Sequence, residues 1–231
     1  MSGDAKTVGF VPVRSGSKRL PRKNMAFIEG RPAFEYAIRT LQGVSGISSV
    51  WVSSDDEMVL QRATEMGATA HRRDPKLAGD TVGVLQVVRS ELNLMGDVQA
   101  VAVLYATAVL VRSESISVML KLASDDCWMH PVVASTGFSQ PVAQSLVAID
   151  DNLWVPLLPK LANARSQDVP EIRVDAGGVY VWPAEFLRRS TGVYDEPQLT
   201  YPIGSDEILD VDERSDLDEL IRRVQMRGDL G

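Results

Sequence analysis

Cysteine is almost absent from this 231-residue chain. Cys127 stands alone, which excludes an internal disulfide and fits a reducing compartment such as the cytoplasm. Histidine is nearly as scarce, and His71 and His130 are too isolated to read as a metal-ligand set. No apolar run approaches the roughly 20 residues that span a bilayer, so no membrane partner is expected. A signal-peptide pattern is also missing, since Lys6 is followed by only a short apolar stretch before Arg14. Positive charge is in deficit, and a net charge of −7 argues against a nucleic-acid partner. Neither the Gly-x4-Gly-Lys-Ser/Thr loop nor the Gly-x-Gly-x-x-Gly fingerprint of common nucleotide sites occurs.

What is present is a chain 45% hydrophobic, enough to bury a proper core. Thr7 to Val13 is a nearly continuous apolar run, as in a buried parallel strand, with Pro12 expected at its end. Residues 33–42 carry Phe34, Ile38 and Leu41 at helical spacing. Strand patterns follow at Ser49–Ser53, Ala100–Leu104 and Pro131–Ser135, and helical patterns at Asp56–Gly67, 81–95 and Ser113–Ser124. The pattern resumes at Gly177–Trp182 and closes with a helix from about Ser215, its expected N-cap, to Arg227. Such alternation predicts a single α/β domain over 1–231, with a doubly wound, mostly parallel sheet flanked by helices. Ligands of such sheets bind at the carboxyl ends of the strands. Residues 138–173 interrupt the rhythm with four prolines (141, 156, 159 and 170) and short β-like runs. They read as an inserted arm suited to a subunit contact.

Three groups of residues could carry chemistry. The loop after the first strand holds Ser15, Gly16 and Ser17, small enough for backbone N–H groups to approach an anion. Around them stand Arg14, Lys18, Arg19, Arg22 and Lys23, with no acid among residues 14–23. On an acidic protein such a cluster suggests a small anionic ligand, although composition alone leaves a solvated basic loop equally open. Asp210-Val-Asp212 puts two carboxylates on one face of an extended segment, where Mg²⁺ could meet both. On spacing alone, acids preceding a helix and favouring its dipole are the simpler reading. Arg165-Ser-Gln-Asp-Val-Pro170 with Asp175-Ala-Gly-Gly178 offers donors for a carboxylate and hydroxyls, but read alone it is a polar surface loop.

Taken in order, these blocks resemble the acylneuraminate cytidylyltransferase family. Pro12-Val-Arg14-Ser-Gly-Ser17-Lys-Arg-Leu20-Pro21-Arg-Lys23-Asn24 is similar to that family's Ala-Arg-x-Gly-Ser-Lys-x-Leu-Pro-x-Lys-Asn loop. Val52-Ser-Ser-Asp55 follows in the expected place, at the end of the second strand. Arg73-Asp-Pro-Lys-Leu77-Ala-Gly-Asp80-Thr81 and Asp210-Val-Asp212 with Asp216-Leu217 resemble two further blocks. Leu104-Tyr-Ala-Thr-Ala108 and Arg165-Ser-Gln-Asp-Val-Pro-Glu171, followed by Asp175-Ala-Gly and Tyr180-Val-Trp182, are closest to the pseudaminic acid branch. The sequence departs from the pattern at Val82-Gly83-Val84, Val109 and Arg214.

The resemblance implies a Rossmann-like nucleotide-diphospho-sugar transferase fold. It implies an enzyme that joins a nine-carbon 2-keto sugar acid to CTP, giving a CMP-sugar and pyrophosphate. Arg14, Lys23 and Asp212 would be catalytic. Pro12, Arg14, Ser15, Gly16, Ser17, Lys23, Asn24 and Arg73 would bind the nucleotide, and Tyr105, Arg165, Gln167 and Asp175 the sugar. Asp210 and Asp212 would hold Mg²⁺. A homodimer built through the arm, in the cytoplasm, is expected. Legionaminate, neuraminate and 3-deoxy-manno-octulosonate remain open as substrates, as does a catalytically silent CTP-binding paralogue.

Overall fold

The computed structural model of the protein describes residues 6–16, 19–138 and 142–228. Ser17 and Lys18 of the basic loop, and Pro141 of the arm, lie outside the described residues. The first apolar run forms β1 (Lys6–Val13). Pro12 sits where β6 (below) has already stopped pairing with β1, so its missing N–H breaks no ladder there. A short hairpin, β2 (Phe27–Ile28) and β3 (Arg31–Pro32), leads into α1 (Ala33–Gln42), over the residues the spacing predicts. Then come β4 (Ile47–Ser54), α2 (Glu57–Glu65) and β5 (Thr69–Arg72). Asp56 caps α2 by accepting the N–H groups of Met58 and Val59, and Gly67 adopts φ 78° just beyond its end. Next are α3 (Val84–Glu91), β6 (Val98–Leu104), α4 (Ser113–Asp125) and β7 (Val132–Thr136).

The arm folds as a separate hairpin of β8 (Leu146–Asp150) and β9 (Leu153–Pro156), followed by the single turn α5 (Pro159–Ala162). Leu146, Ile149, Leu153 and Trp154 are exposed on it. The chain then returns as β10 (Val174–Pro183), α6 (Ala184–Arg189), β11 (Leu199–Pro202) and α7 (Arg214–Arg227). Ser215 is not the cap of α7. Glu213 takes that place, two positions earlier, and Asp216 accepts the N–H of Glu213 at 2.8 Å in a reciprocal capping box.

The main sheet has seven strands in the order β11-β7-β10-β6-β1-β4-β5, and only β10 runs antiparallel to its neighbours. From β1 the chain winds outward through β4 and β5, then returns to place β6 on the other side of β1. The reversal opens a crevice at the carboxyl ends of β1 and β6, where the loops starting at Arg14 and Tyr105 leave the sheet. Residue alternation along the strands sends one set of side chains to each face. Val11, Leu104 and Val181 pack with Phe34, Ile38, Val59 and Met119 of α1, α2 and α4. Phe10, Val103 and Trp182 pack with Val88, Phe186 and Leu187 of α3 and α6. A third cluster joins Ile28 and Tyr36 to Val109, Leu110, Val211, Leu217, Leu220 and Val224, seating α7 against the start of the chain. Fully burying one such side chain contributes about 1.5–3 kcal/mol. No helix among the described residues is long and apolar enough to cross a membrane.

Candidate active site

The basic loop is held from two sides. The Ser15 N–H and hydroxyl both donate to Asp55, just past β4, at 2.8 and 2.6 Å. Burial pushes the Asp55 carboxyl up, but the two bonds from Ser15 and the charge of Arg73 outweigh it and hold the group below its ordinary value. The Asn24 side-chain amide donates to the Arg14 carbonyl at 3.0 Å, tying the two ends of the loop together. Arg22 adopts a left-handed φ of 58° immediately before a 3-10 turn over Lys23–Met25. Gly16 is exposed between these ties.

Every described base of the loop meets an acid. Arg14 pairs with Asp80 at 3.0 Å, Arg22 with Asp56 at 3.8 Å, and Arg19 and Lys23 with Asp212 at 2.6 and 3.2 Å. These pairs are partly exposed, and such pairs are worth only about 0–1 kcal/mol each. An anionic ligand can exchange such pairs at little cost.

Val211 is buried in the third cluster, while Asp210 and Asp212 stay accessible on either side of it. Lys23 Nζ also donates to the Val211 carbonyl at 2.9 Å, so the loop reaches the backbone between the two carboxylates. Among the described residues no group of three or more His, Cys, Asp or Glu could hold a metal. Mg²⁺ needs only one or two carboxylates beside substrate phosphates, and this pair fits that requirement.

Asp210 and Tyr105 line one cavity of 210 Å³, together with Thr107, Gly177, Gly178 and Glu207. Gly178 has φ 88°, its carbonyl accepts the Tyr105 N–H at 2.8 Å, and a Cβ there would lie 3.3 Å from that of Ala108. Glu207 is buried and accepts the Arg112 N–H at 2.9 Å and the Ser115 hydroxyl at 2.8 Å, which anchors the Asp210 segment to the N-terminus of α4. Asp175 accepts hydrogen bonds from Tyr180 at 3.0 Å, Tyr194 at 2.7 Å and the Gly177 N–H at 2.8 Å. Burial pushes the Tyr105 phenol up to about 12 and raises Tyr180 further. Partial desolvation of its hydroxyl, then the bond to Asp175, raises Tyr194 as well, although the residue is 70% exposed. All three phenols are therefore protonated donors at neutral pH.

The structure thus gathers Arg14, Ser15, Lys23, Asn24 and Asp212 around the loop, and Tyr105 and Asp210 around the cavity. Arg165 and Gln167 lie instead at the start of and on an exposed 3-10 turn over Ser166–Asp168 and do not line that cavity. Arg73 is buried, with Nε and Nη2 bonded to Ser53. Of the departures, Val109 is core and Arg214 begins α7, paired with Asp218 at 3.0 Å. Sequence reasoning did not single out Asp56, Glu207, Tyr180 or Tyr194. The partners of Asp56 and Glu207 are distant in the chain, and only Tyr180, five residues from its partner Asp175, stood in a block with a recognisable pattern.

Fold and site together define a nucleotidyltransferase of the doubly wound α/β type. The sequence model of the family described as Cytidylyltransferase matches residues 8–148, and the chain belongs to that family. It is 27% identical over 221 residues to the pseudaminic acid cytidylyltransferase of Campylobacter jejuni serotype O:2, covering 92% of this chain and 94% of that protein. It is 25% identical over 222 residues to the N-acylneuraminate cytidylyltransferase of Streptococcus agalactiae serotype V, covering 94% of this chain but 52% of that one. In fold it is similar to a CMP:2-keto-3-deoxy-manno-octonic acid synthetase complexed with CTP, with a TM-score of 0.71 at 18% identity over 97% of this chain and 99% of the other. A 4-diphosphocytidyl-2C-methyl-D-erythritol synthase gives 0.65 at 12% identity over 96% and 100%.

Proposed function

We propose that this cytidylyltransferase activates a nine-carbon 2-keto sugar acid of the pseudaminic type, giving its CMP-sugar and pyrophosphate. One observation carries the reading. Asp210 lines the cavity of Tyr105, Gly177 and Gly178 and stands two residues before Asp212, the partner of Lys23, which supports a sugar pocket adjoining a triphosphate loop. The substrate in the name of the Campylobacter relative, which aligns over nearly its whole length, supports the pseudaminic assignment.

In this reading Arg14, Lys23 and the Ser15–Gly16–Ser17 backbone take the triphosphate, with Pro12 and Asn24 shaping the loop. The anomeric hydroxyl oxygen attacks the α-phosphorus. An O–P bond forms, the bond from the α-phosphorus to the bridging oxygen breaks, and pyrophosphate leaves while the hydroxyl proton passes to solvent. Lys23 and Arg14 stabilise charge on the departing group, a contribution of positioning and electrostatics. Asp210 and Asp212 would hold Mg²⁺, which when bound supplies charge neutralisation and an acidified hydroxyl. Tyr105 and Asp175 would orient the sugar. Arg165 and Gln167, exposed at the base of the arm, reach a sugar in this reading only when the arm packs against a second copy of the chain in a cytoplasmic homodimer.

The test is pyrophosphate release from CTP and Mg²⁺ with pseudaminic, legionaminic and neuraminic acids side by side. Fastest turnover with pseudaminic acid is expected. Turnover only with another acid moves the substrate, and CTP binding without turnover on any acid overturns the catalytic reading.

A further inference from the structure

A run of buried polar groups lies behind the loop and outside the cavity. Glu91, the last residue of α3, is 3% exposed, yet its carboxylate accepts the Ser53 hydroxyl at 2.6 Å and the Trp51 indole N–H at 3.1 Å. The same Ser53 hydroxyl accepts Arg73 Nε at 3.0 Å, and the Ser53 carbonyl accepts Arg73 Nη2 at 2.8 Å. Arg73 is itself 4% exposed. Two residues beyond Ser53, Asp55 grips the N–H and hydroxyl of Ser15.

A guanidinium out of water needs carboxylates nearby. Burial lowers the Arg73 value, and Glu91, then Asp55, act against that. Two carboxylates thus share one buried cation. Glu91 reaches it through a hydroxyl, and Asp55 through the field alone. A carboxylate drawn fully toward Arg73 would be a poorer acceptor for Ser15.

We propose that Glu91 is a positioning residue for nucleotide binding: through the Ser53 hydroxyl it holds Arg73 in place, leaving Asp55 to fix Ser15 in the phosphate loop. The inference rests on the reading of that loop as the CTP site.

The test measures CTP affinity by titration calorimetry in Mg²⁺, with melting temperature alongside, for Glu91→Gln, Ser53→Ala, the double variant and Lys23→Ala. Glu91→Gln keeps shape and removes charge, while Ser53→Ala cuts the relay without altering charge and serves should the first variant fold poorly. Each single change is expected to weaken CTP binding about tenfold, the effect of one lost charge-assisted hydrogen bond. The double variant is expected to be no weaker than the worse single, since both cut one relay. A merely structural role would lower the melting temperature and leave the affinity of the folded protein unchanged. Unchanged affinity in both single variants, with Lys23→Ala defective, overturns the inference and leaves the loop reading standing. Additive losses in the double variant also overturn it. If Lys23→Ala binds CTP normally, the loop reading falls and the inference falls with it.

Discussion

Lys23 and Asp212 stand 3.2 Å apart across 189 residues of sequence, and the same ammonium donates to the Val211 carbonyl at 2.9 Å. One side chain therefore links the loop that follows β1 to the carboxylates that precede α7. Lys23→Ala is expected to cost about 100- to 1000-fold in turnover, as for other single charge-stabilising groups. Steady-state pyrophosphate release measures it, and a loss under tenfold would refute the role given to Lys23.

Asp212→Asn keeps the volume of the side chain and removes its charge. Turnover should fall by a similar factor, about 100-fold or more. Half-saturation should also need more Mg²⁺, read independently from the relaxation of water protons with Mn²⁺ as the probe. Near-normal Mg²⁺-dependent turnover in this variant would show that the metal is held elsewhere.

The Asp55 carboxyl is held below its ordinary value, with burial acting against the two Ser15 bonds that lower it. A depressed carboxyl contributes stability that is fully present above the unfolded value of 3.8 and is lost as pH falls through the folded value. Asp55→Asn should therefore flatten the acid limb of a melting-temperature profile below about pH 4 and weaken CTP binding at neutral pH. An unchanged acid limb would remove Asp55 from the set of stabilising groups.

The phenol of Tyr105 is pushed up to about 12 from 10.0, by burial first. A raised folded value contributes stability that is complete below pH 10.0 and is lost as pH rises toward about 12. Alkaline difference spectroscopy should show tyrosinate appearing later in the folded protein than in denaturant. Tyr194→Phe removes a hydroxyl from a ring 70% exposed, so folding should be intact while the KM for the sugar acid rises and that for CTP stays level. Equal shifts in both KM values would argue against a sugar-side role.

Ile149 and Trp154 leave large apolar surface in water on β8 and β9. If a second copy covers that surface, Ile149→Asp with Trp154→Ser should convert a dimer to a monomer by analytical ultracentrifugation. A wild-type chain that sediments as a monomer at micromolar concentration ends the proposal.

Elements with a strong period are legible in the amino-acid sequence alone. α1 falls on the predicted residues because Phe34, Ile38 and Leu41 mark one face and Pro32 precedes them. β5 escapes such reading because Thr69-Ala-His-Arg72 is an edge strand, half exposed and without an apolar run. α6 and β11 are too short, at six and four residues, to display a period. The loop and the Asp pair are legible through their ordered blocks. Their meeting, and the burial of Arg73 and Glu207, depend on contacts between distant segments, which no local pattern encodes. The β8–β9 pair is readable as extended, but its exposure is not, because its apolar residues look like those of a core strand.

The third cluster has a consequence for how the chain comes into being. Ile28 and Tyr36 near the start are covered by Leu217, Leu220 and Val224 near residue 228. Domains made on the ribosome begin to organise from the N-terminal side. A nascent chain released only as far as β11 would own the phosphate loop but neither Asp210 nor Asp212, and its early residues would lack their cover. If the loop and the two carboxylates play the roles proposed for them, such a fragment would lack the carboxylates and turnover would wait until α7 docks.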